Sequence, residues 1–161
     1  MLSAARNVFA IEIEALQTLS DRLDETFIEA VATLQSCVER RNKVIVLGVG
    51  KSGHIGDKIA ATLTSTGCPA VVLHSLNALH GDLGIVSDGD VILALSSSGE
   101  TEELNNVLPA LARFQVQIIA LTGRPDSSLG RAAHTVLDVS VPREACPLNL
   151  APTSSTTAML A

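Results

Sequence analysis

The sequence predicts an α/β fold, namely a three-layer αβα sandwich around a doubly wound, five-stranded parallel sheet of the flavodoxin-like type, preceded by two helices. Five short apolar runs, rich in β-branched residues, alternate with segments of helical length. Hydrophobic residues make up 47% of the 161 residues and charged residues only 17%, which is typical of strands covered on both faces. Strands separated by helices favour parallel pairing through right-handed crossovers.

The elements follow in chain order. Apolar residues at helical spacing predict two N-terminal helices, at about residues 5–21 and 24–41. Five runs are too short for buried helices and are rich in strand-forming residues, so we expect strands at 43–47, 70–73, 91–95, 117–121 and 135–139. The segments between them predict helices at 52–65, 102–114 and 127–133. Without a linker or an internal repeat, residues 1–161 are expected to form one domain.

Composition excludes several classes of protein. The net charge of -6 and the absence of Trp and Tyr argue against binding of nucleic acid. The three cysteines are odd in number and widely spaced, as expected for free thiols in a reducing compartment. No apolar run approaches the roughly 20 residues that span a bilayer, and a signal-peptide pattern is not seen. We therefore expect a cytoplasmic protein with no membrane partner.

The turn after the first predicted strand, residues 48–53, reads GVGKSG and formally matches the dinucleotide pattern G-x-G-x-x-G. A dinucleotide site also needs an acidic residue at the end of the next strand, but that strand ends in Leu73-His74-Ser75. Two interpretations remain. The glycines serve only a tight turn, or the turn binds a small anion with its backbone, the Ser52 hydroxyl and the Lys51 charge.

The turn after the third predicted strand, residues 96–101, reads SSSGET and carries four hydroxyl groups in six residues. Ligands of doubly wound sheets bind beyond the carboxyl ends of the strands, where both turns lie. A phosphate needs many short donors without bulk, which this turn supplies next to a helix N-terminus. A simple helix cap would need only one of these hydroxyls.

The pairing of GVGKSG with SSSGET, in that order and on those strands, resembles the SIS (sugar isomerase) domain. Longer strings resemble the arabinose-5-phosphate isomerases of the Kdo pathway, from the first helix to Ala161; they are GKSGHIG, STG-CP, HGDLG, SSSGETEE, LTGRP and EACPLNLAPTSSTTA. The resemblance implies interconversion of D-arabinose 5-phosphate and D-ribulose 5-phosphate through an enediolate, for Kdo and lipopolysaccharide synthesis. Two alternatives stay open: an SIS isomerase for another sugar phosphate, and a non-catalytic SIS module that senses a sugar phosphate or nucleotide sugar.

The resemblance also implies roles for individual residues. The positions that match substrate-binding or phosphate-binding residues are Gly50, Ser52, Gly67, Cys68, His74, His80, Ser96, Ser97, Ser98, Gly99 and Thr101. The positions that match catalytically important residues are Lys51, Glu103, Glu144 and His80. These residue types fit isomerisation independently, because it needs a base, a proton shuttle and a positive charge near the developing oxyanion. Which glutamate is the base stays open.

The resemblance also bears on cofactors and partners. Relatives place a zinc ion at the position of His74, but a structural zinc site needs about four ligands. His74, His80 and Asp82 do not supply a closed set, so we expect that no cofactor is required, with zinc at His74 as the alternative. The expected partner is a small sugar phosphate. A homo-oligomer is implied, dimer or tetramer, with His80 reaching into a neighbouring subunit's site.

Structural explanations compete with the catalytic roles of the two glutamates. Glu103 lies in the first turn of a predicted helix, where any acid interacts well with the helix dipole. Glu144 lies in a loop where no local helix or strand demands it.

The sequence departs from the family pattern in two places. Asn77 stands where the family usually has Glu. Ala161 lies a few residues into a helix capped by Thr153 or Ser154, where relatives continue to a Ser-His-Pro-Gly-Gly segment and often to CBS domains; we expect that helix to be incomplete here.

Overall fold

The computed structural model describes residues 1–78 and 81–161 of the chain. Two helices come first, α1 (Leu2–Asp21) and α2 (Glu25–Glu39). The strands are β1 (Val44–Gly48), β2 (Ala70–Val72), β3 (Val91–Leu95), β4 (Gln117–Thr122) and β5 (Thr135–Asp138). The later helices are α3 (Lys51–Ser65), α4 (Ser75–Ala78), α5 (Glu102–Asn105), α6 (Leu108–Leu111), α7 (Ser128–Ala132) and α8 (Ser154–Leu160), with a 3₁₀ turn at Asp82–Ile85.

The five strands form one parallel sheet in the order β2-β1-β3-β4-β5. Val44 is in register with Ala70 on one side and with Val91 on the other. Strand addition therefore reverses direction between β1 and β3, and ligands of such sheets bind at this switch point. The predicted α/β fold with a doubly wound, five-stranded parallel sheet is confirmed.

The two faces of the sheet bury different side chains, because successive residues of a strand point to opposite faces. One face carries Ile45, Ile92 and Ile118, and it packs against Leu104, Val107, Leu111 and Leu129 of the chain around α5, α6 and α7. The other face carries Val44, Val91 and Ile119, and it packs against Ala30, Ala60, Ala158 and Met159 of α2, α3 and α8. Helices on both faces make the three-layer sandwich.

One predicted helix is divided in the structure. The sequence predicts a single helix over 102–114, but the chain forms α5 and α6, separated at Asn106 and Val107. Pro109 lies in the first turn of α6. A proline has no N–H to donate and its ring clashes with the carbonyl four residues before it, so it is tolerated at the start of a helix and not within one.

A buried ion pair closes the amino edge of the sheet. Asp90 is 1% exposed, and its carboxylate accepts hydrogen bonds from the Lys43 ammonium at 2.7 Å, the Lys43 N–H at 3.1 Å and the Ser87 N–H at 2.8 Å. Burial opposes ionisation of Asp90, but the hydrogen bonds from Lys43 and Ser87 outweigh it and hold the pKa of this carboxyl below its ordinary value. The pair ties the start of β1 to the start of β3.

Across residues 1–78 and 81–161, no helix combines the length and the apolar character that crossing a membrane requires.

Candidate active site at the carboxyl edge of the sheet

A pocket of about 570 Å³ lies at the carboxyl edge of the sheet, where the segments after β1, β3, β4 and β5 meet the start of α8. Its lining residues are Val49, Lys51, Ser52, Ser97, Ser98, Thr101, Gly123, Arg124, Ser140, Val141, Glu144, Pro152, Ser155, Thr156 and Met159. The two turns that the sequence singled out therefore face each other across one cavity. An anionic ligand can contact both turns at once in this arrangement.

The glycines of the turn after β1 are explained by its geometry. A Cβ at Gly48 would lie 2.8 Å from the Ser52 carbonyl oxygen, and Gly50 has a φ of +57°, a conformation that favours glycine. Lys51 is the first residue of α3 and is exposed. A positive charge at a helix N-terminus opposes the helix dipole, so Lys51 is not placed there for stability. Its position instead suits an anion in the pocket.

The hydroxyl-rich turn after β3 divides into residues that shape it and residues that face the pocket. Ser96 is 2% exposed; its Oγ accepts a hydrogen bond from the Gly99 N–H at 3.0 Å and bonds with Thr101 Oγ1 at 2.8 Å. Gly99 has a φ of +64°, and a Cβ there would overlap the Ser127 side chain. Ser97 and Ser98 are exposed and, with Thr101, line the pocket. Ser96 and Gly99 therefore build the turn, and the other hydroxyls are open to a ligand.

Glu144 lies in the pocket wall and also holds the first turn of α8. Its Oε2 accepts hydrogen bonds from the Thr153 N–H at 2.7 Å, the Thr153 hydroxyl at 3.0 Å and the Ser155 N–H at 3.2 Å. Burial opposes ionisation, but the hydrogen bonds from Ser155 and Thr153 prevail, so the pKa of Glu144 lies below its ordinary value. The expectation that no local helix demands Glu144 is therefore wrong, since its carboxylate binds the N-cap Thr153 and the first turn of α8, which begins ten residues later.

Sequence reasoning missed several residues of the pocket. Arg124 follows β4, and Ser140 follows β5, while Ser155 and Thr156 belong to the first turn of α8. Arg124 adds a second cation beside Lys51. In the part of the chain that the structure describes, neither the Lys51 ammonium nor the Arg124 guanidinium has a carboxylate within ion-pair distance. The signal that could have found Arg124 and Ser140 was available, because loops after every strand of a parallel sheet end at the same edge.

Other predicted residues lie away from the pocket lining. Glu103 is exposed in the first turn of α5, and His74 is exposed directly after β2, at the same edge of the sheet. Gly67 and Cys68 lie between α3 and β2, at the opposite, amino edge. Because α3 carries the chain away from the pocket over its 15 residues, the prediction that Gly67 and Cys68 bind the substrate gains no support from this chain's own pocket.

The metal prediction rests partly on His80, which lies outside the described residues. Among the residues described, no three His, Cys, Asp or Glu side chains are grouped so that they could hold a metal ion. The described residues alone therefore supply no zinc site around His74, and zinc at His74 stays a prediction.

Comparison with known proteins agrees with the fold. The SIS domain family matches residues 38–161, more than half of the chain. The chain belongs to the SIS domain family. This confirms the resemblance predicted from GVGKSG and SSSGET.

Relatives of this SIS domain include named enzymes. It is 51% identical over 156 residues to the arabinose 5-phosphate isomerase GutQ of Salmonella typhi, covering 97% of this chain and 48% of that protein. It is 50% identical over 157 residues to the arabinose 5-phosphate isomerase KdsD of Escherichia coli K12, covering 98% of this chain and 47% of that protein. The chain thus spans about half the length of the curated relatives it matches.

A solved structure of an Escherichia coli CFT073 protein in complex with A5P matches the SIS domain with a TM-score of 0.92 at 37% identity. The match covers 99% of this chain and 83% of that chain. The likeness therefore includes the sheet, the loops at its carboxyl edge and both N-terminal helices.

Proposed function

We propose that this SIS domain binds a pentose 5-phosphate and interconverts D-arabinose 5-phosphate and D-ribulose 5-phosphate. The observation that carries the proposal is one pocket that holds open hydroxyls, an ionised carboxylate and two cations, neither of which has a carboxylate partner among the residues described. This choice of sugar is supported by the names of relatives that are about 50% identical and by the A5P complex of the E. coli CFT073 protein.

The phosphate is assigned to the turns after β1 and β3. Ser52, Ser97, Ser98 and Thr101 offer hydroxyl donors, and Lys51 offers a positive charge at the same side of the pocket. Charge-assisted hydrogen bonds are roughly twice as strong as neutral ones, so a phosphate dianion gains more from this set than a neutral sugar. The chain as a whole carries a net charge of -6, which makes a locally positive pocket informative.

Proton transfer is assigned to Glu144. In the forward direction a base removes the proton from C2 of the open-chain aldose, an enediolate forms, and a proton is returned to C1 while the oxygens exchange a proton. The pKa of Glu144 lies below its ordinary value, so its carboxylate is ionised at neutral pH and can accept a proton, although the hydrogen bonds that lower the pKa also make it a weaker base. Its Oε2 is held by Thr153 and Ser155, which fixes the orientation of the carboxylate. Because C1 and C2 lie at the other end of the sugar from the phosphate, the Lys51 ammonium is assigned to the phosphate alone, and its predicted catalytic role stays a prediction.

The remaining predicted roles stay predictions. Glu103 lies outside the pocket lining in this chain, so we assign the base to Glu144 and not to Glu103. His80 stays the predicted proton shuttle, zinc at His74 stays the predicted alternative, and no step of the proposed reaction uses a metal. Aldose and ketose are isomers, so the proposed reaction consumes no redox cofactor.

The experiment that tests the function is isomerisation in deuterated water. The chain is incubated with D-ribulose 5-phosphate, and nuclear magnetic resonance follows both the appearance of arabinose 5-phosphate and the uptake of deuterium at carbon. Turnover with deuterium uptake supports an enediolate with an exchanging base. Binding by calorimetry without turnover or deuterium uptake would select the sensing module instead, and turnover of hexose phosphates only would select another isomerase.

We also propose a homo-oligomer and a role in supplying arabinose 5-phosphate to Kdo and lipopolysaccharide synthesis. Exposed apolar side chains on α1 and α2 support the oligomer: Phe9 and Ile13 are 68% and 65% exposed, and Ile28 is 59% exposed. Large apolar side chains exposed on the same helices commonly mark a protein interface. Light scattering after gel filtration gives the number of subunits.

A further inference from the structure

Arg22, in the turn between α1 and α2, contacts the segment that follows β5, more than a hundred residues later. Its Nη1 donates a hydrogen bond to Ser140 Oγ at 2.8 Å. Its Nη2 donates to the Ser140 carbonyl oxygen at 2.6 Å and to the Asp138 carbonyl oxygen at 3.3 Å. The Asp138 carboxylate lies 4.0 Å from Nη1 and accepts a hydrogen bond from the Ser140 N–H at 2.8 Å. One guanidinium thus fixes both the backbone and the side chain of Ser140.

The segment that Arg22 holds forms one wall of the pocket. Ser140, Val141 and Glu144 line the cavity, and the chain from Val139 to Thr153 contains no helix or strand. Such a segment depends on side-chain contacts for its shape, because its backbone groups have no regular ladder to join. Arg22 supplies three of those contacts from a rigid helical turn.

The chemistry of the Arg22 contact also affects what Ser140 can offer. A guanidinium donates and cannot accept, so the Ser140 Oγ must act as the acceptor. The hydroxyl proton of Ser140 is then left free for another acceptor, and the side chain borders the pocket.

Stability alone does not explain Arg22. Its Nε is buried, and within the described residues it meets no hydrogen-bond acceptor. A buried donor without an acceptor is unfavourable, and it offsets part of what the three hydrogen bonds of Arg22 contribute to stability. The placement is explained if the guanidinium serves the pocket wall.

We propose that Arg22 is a positioning residue, which holds residues 138–144 so that Ser140 and Glu144 face the bound ligand. This inference rests on the proposed function for its kinetic consequences, but its structural part, the hold on the segment, does not. Arg22 itself does not line the pocket, so it acts through Ser140 and not on the substrate.

The chain offers a matched control. Arg143 belongs to the same segment and pairs with Glu14 of α1 at 3.6 Å, but the two side chains are 58% and 60% exposed. Exposed pairs of this kind contribute little, because water screens them and both side chains lose rotamer freedom. Arg22→Gln and Arg143→Gln each remove one arginine that joins the N-terminal helices to the pocket wall, and only the first should matter.

The test measures hydrogen exchange and kinetics on the full chain. In Arg22→Gln, we expect peptides covering residues 139–146 to exchange about 10-fold faster or more, while the strands keep their protection. We expect KM for D-arabinose 5-phosphate to rise by about 10-fold, with Arg22→Lys restoring only part, because lysine cannot make the forked contact. Ser140→Ala should reproduce part of the change, and adding it to Arg22→Gln should have little further effect.

Several results would overturn the proposal. Unchanged exchange in residues 139–146 of a folded Arg22→Gln protein would show that the arginine does not hold the segment. Faster exchange with unchanged KM and kcat would show that the contact of Arg22 with residues 138–144 does not affect function. Equal effects of Arg143→Gln would show the same. If the wild-type chain binds arabinose 5-phosphate without turnover, the isomerase proposal fails while the calorimetric Kd still tests Arg22. If it neither binds nor turns over the sugar, the kinetic part of the Arg22 proposal fails with it, and the exchange result decides the structural part.

Discussion

The two edges of the sheet treat charge in opposite ways. At the amino edge, the Asp90 carboxylate is 1% exposed and its charge is matched by the Lys43 ammonium at 2.7 Å. At the carboxyl edge, Lys51 and Arg124 border an open pocket, and neither has a carboxylate within ion-pair distance among the residues described. A charge that the fold neutralises serves stability, whereas a charge that it leaves unmatched is available to a ligand of opposite sign.

Asp90→Ala should produce the largest effect, and it should fall on stability. The substitution leaves the Lys43 ammonium and the Lys43 and Ser87 N–H groups without their acceptor. Breaking a buried pair by removing one partner costs about 3–5 kcal/mol. Urea denaturation should show the free energy of unfolding falling by about that amount, while the folded variant keeps the Kd of wild type for arabinose 5-phosphate.

A loss of less than about 1 kcal/mol in Asp90→Ala would mean that the amino-edge pair is no stronger than a surface ion pair. A weakened Kd in the folded variant would mean that the two edges are coupled, and the division between them would not hold.

Lys51→Gln should produce the converse, a large effect on binding with none on folding. Loss of a charge that contacts phosphate should weaken the binding of arabinose 5-phosphate by about 100-fold, since a hydrogen bond to a charged group contributes about 1.5–3 kcal/mol. The free energy of unfolding should stay constant or rise slightly, because a cation is removed from the N-terminus of α3. Calorimetry and urea denaturation give the two quantities.

Lys58→Gln is the matched control for Lys51→Gln. Lys58 lies on the same helix but is exposed, and its ammonium donates a hydrogen bond to Thr62 Oγ1 at 2.6 Å. It should bind the sugar phosphate as wild type does. Equal weakening in both variants would indicate that general charge, and not the pocket, attracts the ligand.

Arg124→Gln should weaken binding by a smaller factor, about 10-fold, because Arg124 follows β4 and lies outside the two turns to which the phosphate is assigned, and its contact with an anion is screened by water. The effect should decrease as salt is added. Arg131→Gln serves as the control: Arg131 is also an exposed arginine after β4, but it bonds Asp126 and Ser128 and does not line the pocket. If both variants bind equally well, Arg124 is not part of the anion site.

Much of the sheet could be predicted from local sequence, since each strand is a short β-branched run and each faces a buried layer. Residues 91–95 were predicted with the observed bounds of β3. The meeting of Lys51 with Ser97 and Ser98 also followed, because parallel strands end at one edge. The division of the 102–114 helix was missed although Pro109 signals it.

Other features of the site depend on contacts between distant parts of the chain. The bond of Arg22 to Ser140 joins residues 118 apart, and no local pattern marks it. The hydrogen bond from Thr153 to Glu144 requires the loop between β5 and α8 to fold back on itself. Gly67 and Cys68 stay predictions that this chain's own pocket does not support. They were assigned from the family resemblance, although a helix of 15 residues carries the chain about 22 Å toward the other edge of the sheet.

Glu144→Gln should lower stability by less than Asp90→Ala does, and the pH dependence of this loss is its signature. The pKa of Glu144 is held below the ordinary value of 4.5 in the folded chain, so its contribution to stability is complete above that value and is lost as the pH falls through the lower, folded value. At pH 7 the variant should be less stable by about 1 kcal/mol, as for loss of a helix cap. Urea denaturation at pH 7 and at pH values below 4.5 should show the gap to wild type narrowing.

Glu25→Gln is the control that distinguishes the specific effect of Glu144 on stability from a general effect of a negative charge near a helix N-terminus. Glu25 lies in the first turn of α2 and is exposed, and the capping oxygen there belongs to Asp24. Salt should reduce the small difference in free energy of unfolding between Glu25→Gln and wild type. The corresponding difference for Glu144→Gln should persist, because Glu144 is half-buried and hydrogen-bonded to α8. If the Glu144→Gln gap stays constant down to pH 3, the ionised carboxylate does not hold α8, and the orientation proposed for the base loses its support.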